Sequence, residues 1–303
     1  MITKLRSAIL IALAVFAVSG LQSCKDDTTD TGNQPTKSIS EYLTDDGGYT
    51  EFLAALETAG LTSKISGSGA FTLLAVSDFQ LTDDGVDLSS MTDAEVTAWV
   101  KYHFMEGKRM PSNFTHTGYT ASESTNGPNG ERLSIYTNVE GSAVRFNGKA
   151  ASTNYEATNG IVYVMAGSLS LPTLLDHLAI NPNLAEYKIG INMESAMKTA
   201  LGTGPNTVFA VNQADFVAYL ETQNIIRIAD LTPSIRRTIL NNSLIFGSAK
   251  ATSSLSGNVS TEGADMTITT GASGLQINGK VNIIRENVYG TDGILHVIDD
   301  VIL

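Results

Sequence analysis

This chain is most tightly constrained by the fact that it repeats itself. The stretch "SGSGAFTLLAVSDFQL" (66–81) aligns without a gap on "LGTGPNTVFAVNQADF" (201–216), at an offset of 135. At the same offset "TEF" (50–52) meets "AEY" (185–187). Downstream, "TDAEVTAWVKYHFMEG" (92–107) falls on "TPSIRRTILNNSLIFG" (232–247), "RFNGKA" (145–150) on "QINGKV" (276–281), and "NGIVYVM" (159–165) on "DGILHVI" (292–298). The blocks keep one order while the offset drifts only from 131 to 140, so the chain holds two copies of one unit. At roughly 100–200 residues per domain, they are expected as domains over 38–171 and 172–303. The boundary falls at Leu171-Pro172, where the next helix is expected to begin.

Each copy reads as helices at its front and strands at its back. In "YTEFLAALETAG", Phe52, Leu53, Leu56 and Ala59 share a helical face, and Gly60 supplies the stop. Thr92 with Glu95 three residues on is a capping box. Val96, Trp99, Val100 and His103 then recur at the spacing of a buried helix face. In the second copy Thr232 takes the cap and Pro233 the first helical position, where its missing N–H does no harm. "FTLLAV" and "TVFAV" read as short apolar strands, as do "RLSIYTNV", "AVRFNG", "MTITT" and "GLQINGK" between Gly- and Ser-containing turns. A single Trp and abundant Gly, Ser, Thr and Asn fit turn-rich α+β structure better than a helical bundle.

These residues resemble the fasciclin-like domain. Its strand hallmark appears as "FTLLAVSDFQL" (71–81) and "NTVFAVNQADF" (206–216). Its Tyr-His pair appears as Tyr102-His103, and its terminal motif as "NGIVYVMAGSLSLP" (159–172) and "DGILHVIDDVIL" (292–303). The resemblance covers about residues 38–303. It implies an α+β fold of two tandem domains, each a β-wedge or sandwich packed with helices, and an extracellular role in adhesion to proteins, matrix or glycans. Partner binding carries over only to Tyr102 and His103. The second copy departs there with Asn242-Ser243, and the first has Tyr163 where the second has His296. Val76 and Val211 stand where the family has proline.

The N-terminus points to export. Lys4 and Arg6 precede an eleven-residue apolar run, 8–18, too short for the roughly twenty residues of a membrane span and laid out like a secretory signal. "Leu21-Gln22-Ser23-Cys24" resembles a bacterial lipobox, which would make 1–23 the signal peptide and the chain's one cysteine, Cys24, its lipidation site. Two or more acyl chains on Cys24 would tether it stably without a spanning helix. Residues 24–37, polar and rich in Asp and Thr, are expected to form a flexible stalk. Lys25-Asp26-Asp27 resembles the surface-export signal of Bacteroidota lipoproteins. The expected location is therefore the outer membrane, facing the cell surface.

Composition excludes other roles. Without Lys4 and Arg6 the 19 basic side chains fall to 17 against 31 acidic, a net charge of −14, and no basic run offers a footprint for nucleic acid. There is no G-x-S-x-G elbow, H-E-x-x-H or P-loop, so an enzyme is not expected, nor a catalytic residue or cofactor. His116 and His177 lack neighbours at metal-ligand spacing, and no metal site is expected. "TDDGG" (44–48) and "TDDGVD" (82–87) match no EF-hand loop and read as solvated turns. His103 and His296 read as core histidines. Two function classes follow: a lipid-anchored surface adhesin or protein-binding module, and a surface glycan-binding accessory of a polysaccharide-uptake system. For the second, Tyr119, Tyr136 and Tyr155 are the available stacking platforms.

Overall fold

The computed structural model describes residues 34–114, 118–141, 143–272 and 274–303. The readings on residues 1–33, Cys24 among them, and on His116 lie outside these. Residues 35–303 form one compact unit.

Each copy is a single seven-stranded sheet, curled on itself and packed with helices, and both have the same strand order. In the first copy the order is Phe104–Glu106, Phe71–Ala75, Gly160–Met165, Lys149–Ala157, Ala143–Phe146, Ser134–Glu140, Gly118–Ala121. In the second it is Leu244–Ile245, Asn206–Val211, Gly293–Ile298, Val281–Gly290, Gly274–Ile277, Met266–Gly271, Gly257–Val259. One neighbouring pair in each sheet is parallel: Phe71 faces Gly160, and Asn206 faces Gly293. The glycine of the "NG" and "DG" motifs follows from this register. A Cβ on Gly160 would overlap the carbonyl oxygen of Phe71, and one on Gly293 that of Asn206. These strands are central, and Asn206–Val211 and Gly293–Ile298 are buried along their whole length, the pattern of a strand covered on both faces.

The helices obey their local signals. Thr92 and Glu95 form the capping box on Asp93–Tyr102, and Thr232 caps Pro233–Asn242 with Pro233 in the first turn. Thr50–Thr58 buries Phe52, Ala55 and Leu56, and Gly60 follows it with φ +67°. Leu174–Ile180 begins behind Thr173, which forms a capping box with Asp176. Asn147-Gly148, both at positive φ, makes the two-residue hairpin turn between Phe146 and Lys149, the left-handed pair that matches strand twist.

Two apolar cores result. One runs from Ile39 to Leu169 and the other from Leu174 to Ile302. The second also takes in Tyr119 and Tyr136 from the first copy's outer strands. Polar bonds fix this junction. The Arg285 guanidinium donates to the Tyr119 carbonyl (2.7 Å), Tyr289 N–H to Ser134 Oγ (3.0 Å), and Asn181 Nδ2 to the Tyr119 hydroxyl (3.2 Å). His177 packs edge-on against the Tyr119 ring at 5.4 Å.

Candidate functional site

Tyr102 and His103 sit where the helix Asp93–Tyr102 gives way to the strand Phe104–Glu106, and both are fully buried. The Tyr102 hydroxyl donates to the Ser134 carbonyl (2.9 Å) and accepts from Asn147 Nδ2 (2.6 Å). Leu169 N–H donates to His103 Nε2 (3.0 Å), so the ring proton is on Nδ1, which donates to the Trp99 carbonyl (2.9 Å). Burial pushes the His103 pKa down to about 4. A neutral imidazole with both nitrogens engaged is not available as a base. The expected contact with a partner is corrected accordingly: neither side chain has surface for a partner to touch. They hold their surroundings in place instead.

Their surroundings form a groove. Trp99 Nε1 donates to Ser168 Oγ (3.1 Å), and Ser168 N–H donates to Asp84 Oδ2 (2.6 Å). With the His103–Leu169 bond, these pin the chain leaving the last strand against the helix. Between them lies a groove of about 600 Å³ lined by Val86, Met91, Ala94, Ala98, Leu169 and Leu171, within the range of ligand-sized clefts. Ala94 and Ala98, one turn apart on the helix, leave its floor open. The rim is charged. Lys149 Nζ stands 3.6 Å from Asp84, and the Glu95 carboxylate accepts from Thr92 N–H (2.8 Å). The lining is mostly apolar, with Asp84, Glu95, Lys149 and Ser168 at its polar edge. In the sequence Asp84 reads only as part of a turn. The groove joins residues up to 87 positions apart, and its one signal in the sequence was the capped helix that forms its wall.

The other expected platforms fare differently. Tyr119 and Tyr136 are largely buried at the junction of the copies, where both line the wall of a cleft of about 430 Å³. The Tyr136 hydroxyl is buried with no hydrogen-bond partner. Tyr155 is 44% exposed and lies against Tyr42, with ring centres 4.5 Å apart. His296 is a core residue: its Nδ1 accepts from Asn287 N–H (3.2 Å) and its Nε2 lies 2.9 Å from the Lys250 carbonyl. His177 is buried with Nε2 3.1 Å from the Tyr289 carbonyl. Among the described residues, no cluster of His, Cys, Asp or Glu could hold a metal ion, and no helix is long and apolar enough to cross a membrane.

Comparison with known proteins agrees with this architecture. The Fasciclin domain model matches residues 47–172 and again 189–303. Transforming growth factor-beta-induced protein ig-h3 of Sus scrofa and that of Oryctolagus cuniculus are each 26% identical over 280 residues, 89% of this chain. The chain spans only 40% of the length of these relatives. A solved FAS1 domain pair from the insect cell adhesion molecule Fasciclin I superposes with a TM-score of 0.57 at 17% identity, covering 86% of this chain and 98% of that one. The match extends over both copies and most of the described residues: the chain belongs to the fasciclin domain family.

Proposed function

We propose that this chain is a lipid-anchored, surface-facing binding protein that works in adhesion or protein–protein assembly through its fasciclin pair. The observation that carries the reading is the open apolar groove of the first copy, braced from behind by the buried Tyr102-His103 pair of the family. Matches to an insect cell adhesion molecule and to the ig-h3 proteins support a binding rather than a catalytic role. Cys24 supplies the tether, with residues 24–37 as the spacer and the outer membrane as the site of attachment. Two copies on one tether favour bivalent engagement, which raises avidity when the geometry allows it.

The test has two arms. A Cys24→Ala chain should leave the membrane fraction, and protease treatment of intact cells should release peptides from 38–303. Cells lacking the chain should attach less to gelatin-coated plates and to plates coated with their own envelope protein, and re-expression should restore attachment. Unchanged attachment on both coatings would overturn the adhesive role. Membrane retention of the Cys24→Ala chain would overturn the anchor.

One observation favours the glycan reading. The cleft between the copies, about 430 Å³, is lined by Asn181, Asn183 and Asn212 with Arg285 at its edge, amide and guanidinium donors suited to sugar hydroxyls. A polysaccharide pull-down that is lost on Asn183→Ala would favour it over adhesion.

A further inference from the structure

The two copies present the same face of the fold with opposite character. In the first, this face is the groove. In the second, the corresponding positions project apolar side chains. Leu81 and Leu220 accept equivalent backbone bonds from Val86 and Ile225. Asp87 and Arg227 then occupy the cap position of equivalent 3-10 turns. The second copy thus carries one extra residue between these points, Ile226, and it is 81% exposed. Glu95 on the groove rim corresponds to Ile235, 46% exposed, and Ser170 to Leu303, 68% exposed. Most of the remaining large hydrophobics among the described residues are buried or half-buried.

Charge diverges at the same positions. In chain order the first copy has Asp83, Asp84, Asp87, Asp93 and Glu95 here; Asp84 and Glu95 line the groove, and Asp87 and Asp93 line the adjoining hollow that shares Met91 with it. Their counterparts are Thr222, Gln223, Arg227, Pro233 and Ile235. At these five positions the acids have gone and a cation stands in place of one of them, while Glu221 and Asp230 stand where the first copy has Thr82 and Ser90. Arg227 has its side chain 57% exposed and only a 3.7 Å partner, Glu186. One face is apolar within and carries Asp84, Glu95 and Lys149 at its rim. The other exposes Ile226 and Ile235, with the Arg227 guanidinium beside them in sequence. An apolar centre inside a complementary charged rim is the anatomy of a protein interface, and exposed apolar clusters of this kind mark interaction sites.

We infer that the occupant of the first copy's groove is the second copy's isoleucine face of another molecule of this chain. Ile226 and Ile235 enter between Ala94 and Leu171, and Arg227 meets the acidic rim. Because groove and knob lie on different domains, the pairing is head-to-tail; in its open form, in which each molecule keeps one free end, assembly extends rather than stopping at a dimer. This names one partner for the binding role proposed above and rests on that reading.

Sedimentation velocity of the full chain, purified as Cys24→Ala so that no acyl chain drives association, tests it over a hundredfold range of concentration. The wild-type groove and knob should give a mass that rises with concentration past the dimer. Ala94→Arg, at an exposed groove position, and Ile226→Asp, at the exposed knob, should each stay monomeric with unchanged melting temperature. Mixed in equal amounts they should form a dimer and no larger species, since one supplies the intact knob and the other the intact groove. Arg227→Glu should weaken association about tenfold. A monomer throughout, association of Ala94→Arg like the parent, or a mixture no heavier than its components would overturn the inference. Those results would leave attachment to gelatin or envelope protein untouched, so its failure is separable from that of the adhesive role.

Discussion

The two copies meet the same structural demands with different side chains. At the strand that closes each sheet, a polar group must satisfy a loop carbonyl. The first copy uses the Tyr163 hydroxyl, which donates to Arg109 (2.8 Å), and the second the His296 ring, which donates to Lys250 (2.9 Å). The chain leaving that strand must be tied to the helix. In the first copy His103 accepts from Leu169 N–H, and in the second Asn242 Nδ2 donates to the Ile302 carbonyl (2.9 Å). Thr72 and Thr207 do one job without change, each donating to a loop carbonyl (2.6 and 2.7 Å) and accepting an N–H two residues on (both 2.9 Å). Where the demand is a bond in a fixed place, the residue type can drift provided a donor or acceptor reaches it. Where the surface faces outward, the copies diverge in kind.

Acid should show the asymmetry most strongly. His103, His177 and His296 are buried and neutral, each with its pKa pushed down to about 4 by burial. A depressed folded pKa gives stability that is present above the unfolded value and lost as pH falls through the folded one. Between about pH 6.5 and 4 each should therefore cost about 3 kcal/mol. Two of the three lie in the second copy. Amide exchange followed by mass spectrometry at pH 4.5 should show residues 172–303 losing protection before 38–171. Equal loss in both copies would mean that the junction makes them one cooperative unit.

An ion pair in the second copy gives a sharper contrast. Glu194 and Arg236 are buried together, with Arg236 Nη2 2.9 Å from Glu194 Oε1 and Arg237 Nε 2.7 Å from the other oxygen. The first copy has Ala59 and Val96 at these positions. Glu194→Ala strands a buried guanidinium and should cost about 3–5 kcal/mol in urea unfolding. The double change to the first copy's residues, Glu194→Ala with Arg236→Val, should recover most of that loss. A double variant as unstable as the single would show that the pair contributes more than its desolvation penalty.

His103→Ala removes a ring, leaves Leu169 N–H without its acceptor, and should cost about 3 kcal/mol. Ser243→Ala, at the matching position, loses only the bond to the Tyr187 hydroxyl (2.7 Å) and one to Leu240, about 1 kcal/mol. Comparable losses at the two sites would remove His103 from its special position behind the groove. Unchanged melting with lost attachment would place it in the binding surface after all.

Much of this was legible in the chain. The gapless strand blocks foretold that the sheets would share one order, and Thr92, Glu95, Thr232 and Pro233 marked their helix starts because capping is local chemistry. The apolar spacing of Val96, Trp99 and Val100 placed His103 in the core. The long strands Lys149–Ala157 and Val281–Gly290 escaped notice because their exposed faces are polar and their periodicity is weak. The packing of Tyr119 and Tyr136 is hidden from the sequence for another reason. They belong to one copy by sequence and to the other's core by packing, and nothing local encodes a contact with residues such as Arg285, 166 positions away. The groove is a product of the same kind of long-range closure.

The smallest effect tests whether the copies can be made more alike to advantage. Asn159 and Asp292 open the closing strands, and each accepts an equivalent bond: Ile39 N–H to Asn159 Oδ1 (2.9 Å), Leu174 N–H to Asp292 Oδ1 (2.7 Å). The other atom differs. Asn159 Nδ2 donates to the carbonyls of Ile65 and Gly67 (2.7 and 2.9 Å), whereas Asp292 Oδ2 is buried without a partner. Burial holds the Asp292 pKa above the usual carboxylate range, against the lowering effect of the Leu174 N–H. A raised folded pKa means that the native state binds more protons, so the carboxyl destabilises it increasingly as pH rises toward neutrality. Asp292→Asn should then raise stability at pH 7 by about 1 kcal/mol. The gain should shrink as acid protonates the parent residue and gives it a donor of its own. A gain that persists unchanged at low pH would trace to something other than charge. A loss would mean that Asn206, whose Nδ2 already donates to Ala200 and Leu201 (both 3.0 Å), leaves the new amide no carbonyl to meet.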